Sequence, residues 1–249
     1  MRRGLDILYQ DRQFIAVAKP AGLAAIPGRG EPASLLQQLA AQLGLPYRGQ
    51  ADPRLRLVHR LDKDTSGVML FALTREAQRF VSHQFQNNTV VKEYLALVAG
   101  RPADDQGTID APLAPHPARP QRMIISRHGR PARTDWRVEA RYGRITLLRV
   151  LPRTGKTHQI RVHLRWIGLP LLVDPLYNPG GCATGLLLSS FKRGYRPKRD
   201  EPERPLIGRL TLHAEKLRFV HPGGQSIEIA CPLPRDFRAA VAALAKYAR

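Results

Sequence analysis

The stretch that most constrains this chain is residues 57–73, LVHRLDKDTSGVMLFAL. Its ends are apolar: Leu57 and Val58 before, and Val68, Met69, Leu70, Phe71 and Ala72 after. Its centre is crowded with polar groups: His59, Arg60, Asp62, Lys63, Asp64, Thr65 and Ser66. An apolar run that starts straight after a glycine reads as a buried strand. The polar centre then reads as a loop held by rigid structure, a common place for chemistry. The same residues also suit a tight turn, with Asp64, Thr65 and Ser66 bonding the backbone and Gly67 supplying an unusual φ. Spacing alone leaves both readings open.

The flanking segments alternate strands and helices. Residues 7–9 and 14–18 form a β-hairpin around Gln10-Asp11-Arg12-Gln13, stopped by Lys19-Pro20-Ala21-Gly22. Ser34 caps a helix bearing Leu35, Leu36, Leu39 and Leu43, with Gly44 as its stop. Residues 47–56 form a polar approach to the central stretch. Thr74 caps a second helix through about Asn87. Its cationic face (Arg75, Arg79, His83) reads first as a solvated face of a helix that supports the sheet.

Residues 90–98 form a strand that puts Lys92, Tyr94, Ala96 and Val98 on one face. Residues 100–134, rich in Pro, Gly and Arg, read as loops and short strands, with Met123, Ile124 and Ile125 in one of them. Residues 133–139 and 145–151 are further strands. Residues 151–164, LPRTGKTHQIRVHL, alternate and read as another strand. Ile160, Val162 and Leu164 would share one face, and Gln159, Arg161, His163 and Arg165 the other. Thr154-Gly155-Lys156-Thr157 lacks the earlier glycine of a P-loop. His158 and His163 would sit on opposite strand faces, which argues against a shared metal. Residues 192–209 form a basic surface loop, 210–220 and 227–231 return to strands, and a last helix carries Phe237, Val241 and Leu244.

Composition narrows the partners. Forty Lys and Arg against twenty Asp and Glu give a net charge of +20, an excess that draws polyanions. The 43% hydrophobic content suits a globular fold. Cys182 and Cys231 form no CxxC pair, so neither a zinc site nor a disulfide framework is indicated, and a reduced, cytoplasmic setting is the default. The first residues carry two arginines without an apolar signal core, and no run of about 18 apolar residues suggests a membrane span.

Read together, the segments resemble one family in order. His59-Arg60-Leu61-Asp62-Lys63-Asp64-Thr65-Ser66-Gly67 resembles the HRLD-x-x-TSG signature of the RluA class of pseudouridine synthases. Lys19-Pro20-Ala21-Gly22 resembles the family's first turn, and Lys92-x-Tyr94 its second motif. Residues 155–163 resemble G-[RK]-[TS]-HQ-[IL]-R-V-H. Residues 169–177, LPLLVDPLY, are similar to a family strand and turn, with Val173 where glycine is more typical. Leu212-His213-Ala214 followed by His221-Pro222 matches the closing pattern. The similarity covers about residues 7–232.

The resemblance implies an α+β pseudouridine synthase fold: a large, mostly antiparallel sheet flanked by helices, with a central active-site cleft where the Asp62 loop and the Arg161 segment meet. It implies a single catalytic domain over 1–249 without an S4-type RNA-binding domain. The implied reaction is isomerisation of specific uridines in structured RNA, ribosomal 23S or transfer RNA, with no cofactor and no metal. Asp62 would be the catalytic carboxylate, as nucleophile or as base. Arg161 would hold Asp62 ionised, and Tyr94 would stack on the detached uracil. The target must first leave its stack, at a cost of a few kcal/mol, and Arg60 would fill the vacated space. Lys63, Lys92 and Arg165 would contact RNA. Monomer is the default state. The alternatives are an inactive RNA-binding protein of the same fold, or a carboxylate-based nucleoside or glycoside hydrolase using Asp62 and Asp64. The net charge of +20 suits neutral sugars poorly.

Overall fold

The computed structural model describes residues 4–28, 33–46, 54–181, 185–197 and 201–248. Most of the approach at 47–56, Cys182 and residues 198–200 of the basic segment lie outside the described residues. In chain order the strands and helices begin with β1 (Ile7–Gln10), β2 (Phe14–Lys19), α1 (Leu35–Gln42), β3 (Arg56–Leu57), β4 (Ser66–Ala72), α2 (Arg75–Gln86) and β5 (Val91–Ala99). They continue with β6 (Gln106–Asp110), β7 (Leu113–His116), β8 (Arg119–Ile125), β9 (Arg133–Tyr142), β10 (Ile145–Pro152) and α3 (Gln159–Trp166). Strands β11 (Leu212–Val220) and β12 (Ser226–Ala230) and helix α4 (Arg235–Tyr247) close the chain. The class is α+β, and the pairs β1–β2, β2–β4, β3–β4, β5–β10, β9–β10, β6–β9, β7–β8 and β11–β12 are antiparallel.

The chain divides into two compact units. The first comprises Met1–Glu93 and Ala214–Pro232; the second comprises Tyr94–His213 and Leu233–Arg249. Within the first, β1, β2, β4 and β11 lie side by side, β12 pairs with β11, and β3 pairs with β4. Strand β4 is buried at all seven positions, as an apolar run beside a glycine predicts. Its side chains Met69 and Phe71 join Ile15, Val17, Leu35, Leu39 and Leu55 in one core. Helix α1 starts on a capping box: the Ser34 hydroxyl accepts from Gln37 N–H, and the Gln37 side chain accepts from Ser34 N–H. Helix α2 starts on Thr74, whose hydroxyl accepts from Ala77 N–H.

Within the second unit the strand order is β5, β10, β9, β6, and β7 pairs with β8 as a separate hairpin. One core sits among Ala96, Val98, Trp136, Leu148, Val150, Ile160, Leu164 and Leu171, with Tyr94 packed at its margin. A second collects Leu95, Leu97, Leu147 and Leu172 against Phe237, Ala240 and Leu244 of α4.

Two expectations need correction. Residues 159–166 are a helix, α3, and not a strand. Of the residues expected on the polar face, Gln159, Arg161 and His163 are as buried as Ile160, Val162 and Leu164, while Arg165 is exposed. Each of those polar groups has its own hydrogen-bond partners, so alternation of residue type carried no information about exposure. Residues 169–177 form no strand either. They run through a single bridge between Leu171 and Val98 into a turn.

Candidate active site

In the first unit, the Asp62 loop is fastened from below by a buried lysine. Lys19 is 1% exposed at the end of β2. Its ammonium donates to the carbonyls of Pro20, Leu23 and Lys63 at 2.7–2.8 Å. An ammonium has three donors, and these three carbonyls match them. The Lys63 carbonyl also accepts from Gly22 N–H at 3.0 Å, so the Lys63–Asp64 peptide is held from two sides. Thr65 N–H donates to the Asp62 carbonyl at 3.2 Å and closes the turn. Asp62 is half-buried, whereas Arg60, Lys63 and Asp64 are exposed and Thr65 and Ser66 are buried.

Gly67 ends the loop with φ +133°, a backbone that side chains disfavour. A Cβ there would lie 2.2 Å from the Ala214 carbonyl oxygen. β4 and β11 therefore approach closely only because this residue has no side chain. Ala214, the last residue of the Leu-His-Ala segment, supplies the facing backbone.

His59 anchors the other side of the loop. Its Nε2 accepts from Leu70 N–H at 3.0 Å, and its ring stacks on Phe85 of α2 with centroids 4.8 Å apart. β2 covers one edge of β4 throughout, while β11 and β3 share the other. The imidazole thus serves a ladder position between those two partners. Burial, with the Lys92 charge added, pushes the His59 pKa down to about 3.

In the second unit, Arg161 projects from α3 and is 7% exposed. Its Nε and Nη2 donate to the two carboxylate oxygens of Asp174, both at 2.8 Å. This planar fork is the strong form of a charge-assisted pair. Asp174 also accepts from the N–H groups of Leu176 and Tyr177 at 2.9 and 3.0 Å. The Tyr177 ring lies under the guanidinium, 5.0 Å from centroid to Cζ. Its hydroxyl accepts from Met123 N–H at 2.8 Å and meets His158 Nδ1 at 2.9 Å.

His158 itself has φ +53° just before α3. Beneath the helix, Gln159 Nε2 donates to the Thr134 hydroxyl, which lies 2.9 Å from His163 Nδ1. His163 Nε2 lies 2.9 Å from the Ala111 carbonyl. A carbonyl only accepts, so Nε2 carries the proton and Nδ1 takes the Thr134 O–H. Burial lowers the His163 pKa and keeps this tautomer neutral.

Tyr94 lies on β5 opposite Val150. The strand is half-buried from Val91 to Tyr94 and fully buried from Leu95 to Val98, so Tyr94 sits where β5 leaves the core. Lys92 is half-buried two residues earlier, and Arg165 is exposed at the end of α3. Of the expected site residues, Arg60, Asp62, Lys63 and Lys92 fall in the first unit, and Tyr94, Arg161 and Arg165 in the second. Among the described residues no cluster of three His, Cys, Asp or Glu is arranged to hold a metal.

Comparison with known proteins now decides the family. The family model described as RNA pseudouridylate synthase matches residues 13–166. The chain belongs to the RNA pseudouridylate synthase family. A Nitrosomonas europaea protein, "Ribosomal large subunit pseudouridine synthase D", is 40% identical over 245 residues, covering 96% of this chain and 65% of that protein. A protein of the same name from Xanthomonas campestris is 39% identical, covering 96% and 69%. The chain thus spans about two thirds of the length of these relatives. Two solved human structures, RNA Pseudouridylate Synthase Domain Containing 1 and 4, each superimpose with a TM-score of 0.69 at 27% identity. They cover 94% and 96% of this chain, and 87% and 93% of their own.

For a pseudouridylate synthase family member, the motifs hold more structure than the sequence reading gave them. Lys19, His59, Gln159, His163 and Asp174 lie within the motifs, and each makes hydrogen bonds that fix local backbone or a neighbouring side chain. The available signal was their chemistry. A lysine before a Pro-x-Gly turn, or a histidine beside an apolar strand, needs a partner once buried.

Proposed function

We propose that this protein isomerises uridine to pseudouridine in large-subunit ribosomal RNA, with Asp62 as the catalytic carboxylate. The observation that carries the reading is the Asp62 loop. A half-buried carboxylate stands on a turn whose backbone is fastened by Lys19, Gly22 and Thr65. An enzyme needs its reacting group held to within a fraction of an ångström, and this loop spends buried hydrogen bonds on that. The names of the relatives support large-subunit ribosomal RNA as substrate.

In this reading Arg161, aligned by Asp174, keeps Asp62 ionised. Its Nε and Nη2 go to Asp174, which fixes the plane and direction of the guanidinium. Tyr94, at the margin of its core, stacks on the uracil. Arg60, exposed beside the aspartate, fills the space left by the extruded base. Lys63, Lys92 and Arg165 contact the RNA backbone. The bonds broken and made, N1–C1′ and C5–C1′, lie within the substrate, so the reaction draws no atom from a cofactor.

The deciding experiment is pseudouridine mapping of ribosomal and transfer RNA from cells lacking the gene, complemented with wild type or Asp62→Asn. Loss of one or more sites, restored by wild type alone, supports the assignment. Restoration by Asp62→Asn rejects the catalytic role. Tight RNA binding by the wild type with no tritium release from C5-labelled uridine RNA favours the inactive RNA-binding alternative, and free uracil among the products favours a hydrolase.

A further inference from the structure

Trp166, the last residue of α3, is 64% exposed. Ile167 beside it is 37% exposed. Together the two leave adjoining aromatic and aliphatic surface at the helix end, and contiguous exposed apolar surface is what marks an interaction site. The chain then turns through Gly168, at φ +78°, before Leu169 re-enters the core. The turn is firmly made: Ile167 N–H donates to the His163 carbonyl and Gly168 N–H to the Arg165 carbonyl. The tryptophan is therefore presented by rigid backbone.

Three guanidiniums belong to the same end of this unit. Arg165 precedes the tryptophan. Gly100, preceding Arg101, abuts the turn closely: a Cβ on it would lie 3.0 Å from Leu169 and 3.5 Å from the Gly168 carbonyl. Gly100 N–H donates to the Arg144 carbonyl at 2.8 Å. Arg101, Arg144 and Arg165 are all exposed, and none is ion-paired among the described residues. An exposed indole at a turn whose neighbouring backbone carries exposed arginines has the composition of a platform for single-stranded nucleic acid: the ring stacks on a base and the cations take the flanking phosphates.

We infer that Trp166, with Arg101, Arg144 and Arg165, forms a secondary RNA-binding site that stacks an unpaired base of the substrate outside the target uridine. The inference rests on the reading of this chain as an RNA-modifying enzyme and adds a determinant of substrate choice. Apolar contact with a protein or with a second copy of the chain would not call for three exposed arginines beside this turn. RNA does.

The test uses the full-length chain with unmodified large-subunit ribosomal RNA and transfer RNA transcripts, each assayed separately. Trp166→Ala and Trp166→Leu should both weaken binding of the modified transcript about tenfold, while Trp166→Phe keeps most of it, because stacking needs an aromatic face. Indole fluorescence should be quenched on RNA addition in wild type. Trp166→Phe, which retains the buried Trp136, should lose that quenching. Normal binding by Trp166→Ala, or by Trp166→Leu, overturns the stacking site, as does self-association that Trp166→Ala abolishes. A wild type that modifies a transcript while Trp166→Ala binds it normally defeats this inference alone. A wild type that neither binds nor modifies either transcript defeats the RNA reading and this site with it.

Discussion

At the scale of single residues, this protein spends buried polar groups on fixing loops. Arg161 and Asp174 are both nearly inaccessible, so each charge depends on the other. Removing one partner leaves the second desolvated and uncompensated. Asp174→Asn should therefore cost about 3 kcal/mol of stability, read as a fall in Tm of roughly 6–12 °C. Arg161→Lys should not restore function, since an ammonium cannot make the bidentate fork. His59 makes a different demand. Its Nε2 must stay unprotonated to accept from Leu70, and its pKa falls to about 3. The unfolded chain takes up that proton near pH 6.5, while the folded chain resists it until about pH 3. Stability contributed by the neutral ring is thus complete above pH 6.5 and is lost as pH falls below it, by about 2 kcal/mol at pH 5. Urea unfolding of His59→Phe against wild type across pH 4.5–7.5 should show this acid slope flattened in the variant.

At the scale of elements, β4 and α3 behaved differently toward sequence reading. β4 was legible because its environment is uniform: apolar residues, buried on both faces, opened by a glycine. Gly67 was legible as a special backbone position, but the reason for it was not. The close approach to Ala214 comes from a strand nearly 150 positions away. Gly67→Ala must push β11 off β4 or bend the loop, and it should cost about 2–4 kcal/mol, measured as a lower urea midpoint with an unchanged m-value. Helices α1 and α2 were legible from their caps, since Ser34 and Thr74 each bond a neighbour three residues on. α3 has no such cap. It begins at His158 in a left-handed conformation without a side-chain cap, and its polar residues Gln159, Arg161 and His163 are buried. Local alternation stood for a strand there because the partners that make the buried polar groups affordable, Thr134, Ala111 and Asp174, come from elsewhere in the chain.

At the scale of the whole molecule, charge dominates. A net +20 on 249 residues implies that RNA binding releases many counterions. Affinity for the substrate transcript should fall by at least about 100-fold between 50 and 200 mM salt, read from filter-binding titrations, whereas a hydrolase of neutral glycosides would show little change. The sequence by itself determined the family, the α+β class, most strands and the helix caps. These are carried by short contiguous runs whose chemistry is visible residue by residue. Only the tertiary structure decided what holds those residues. Lys19 under the Asp62 loop, Asp174 beside Arg161, and the tautomer of His163 are set by contacts between distant segments. A buried charge or donor takes whichever partner the fold brings within about 3 Å, and no local pattern encodes that choice.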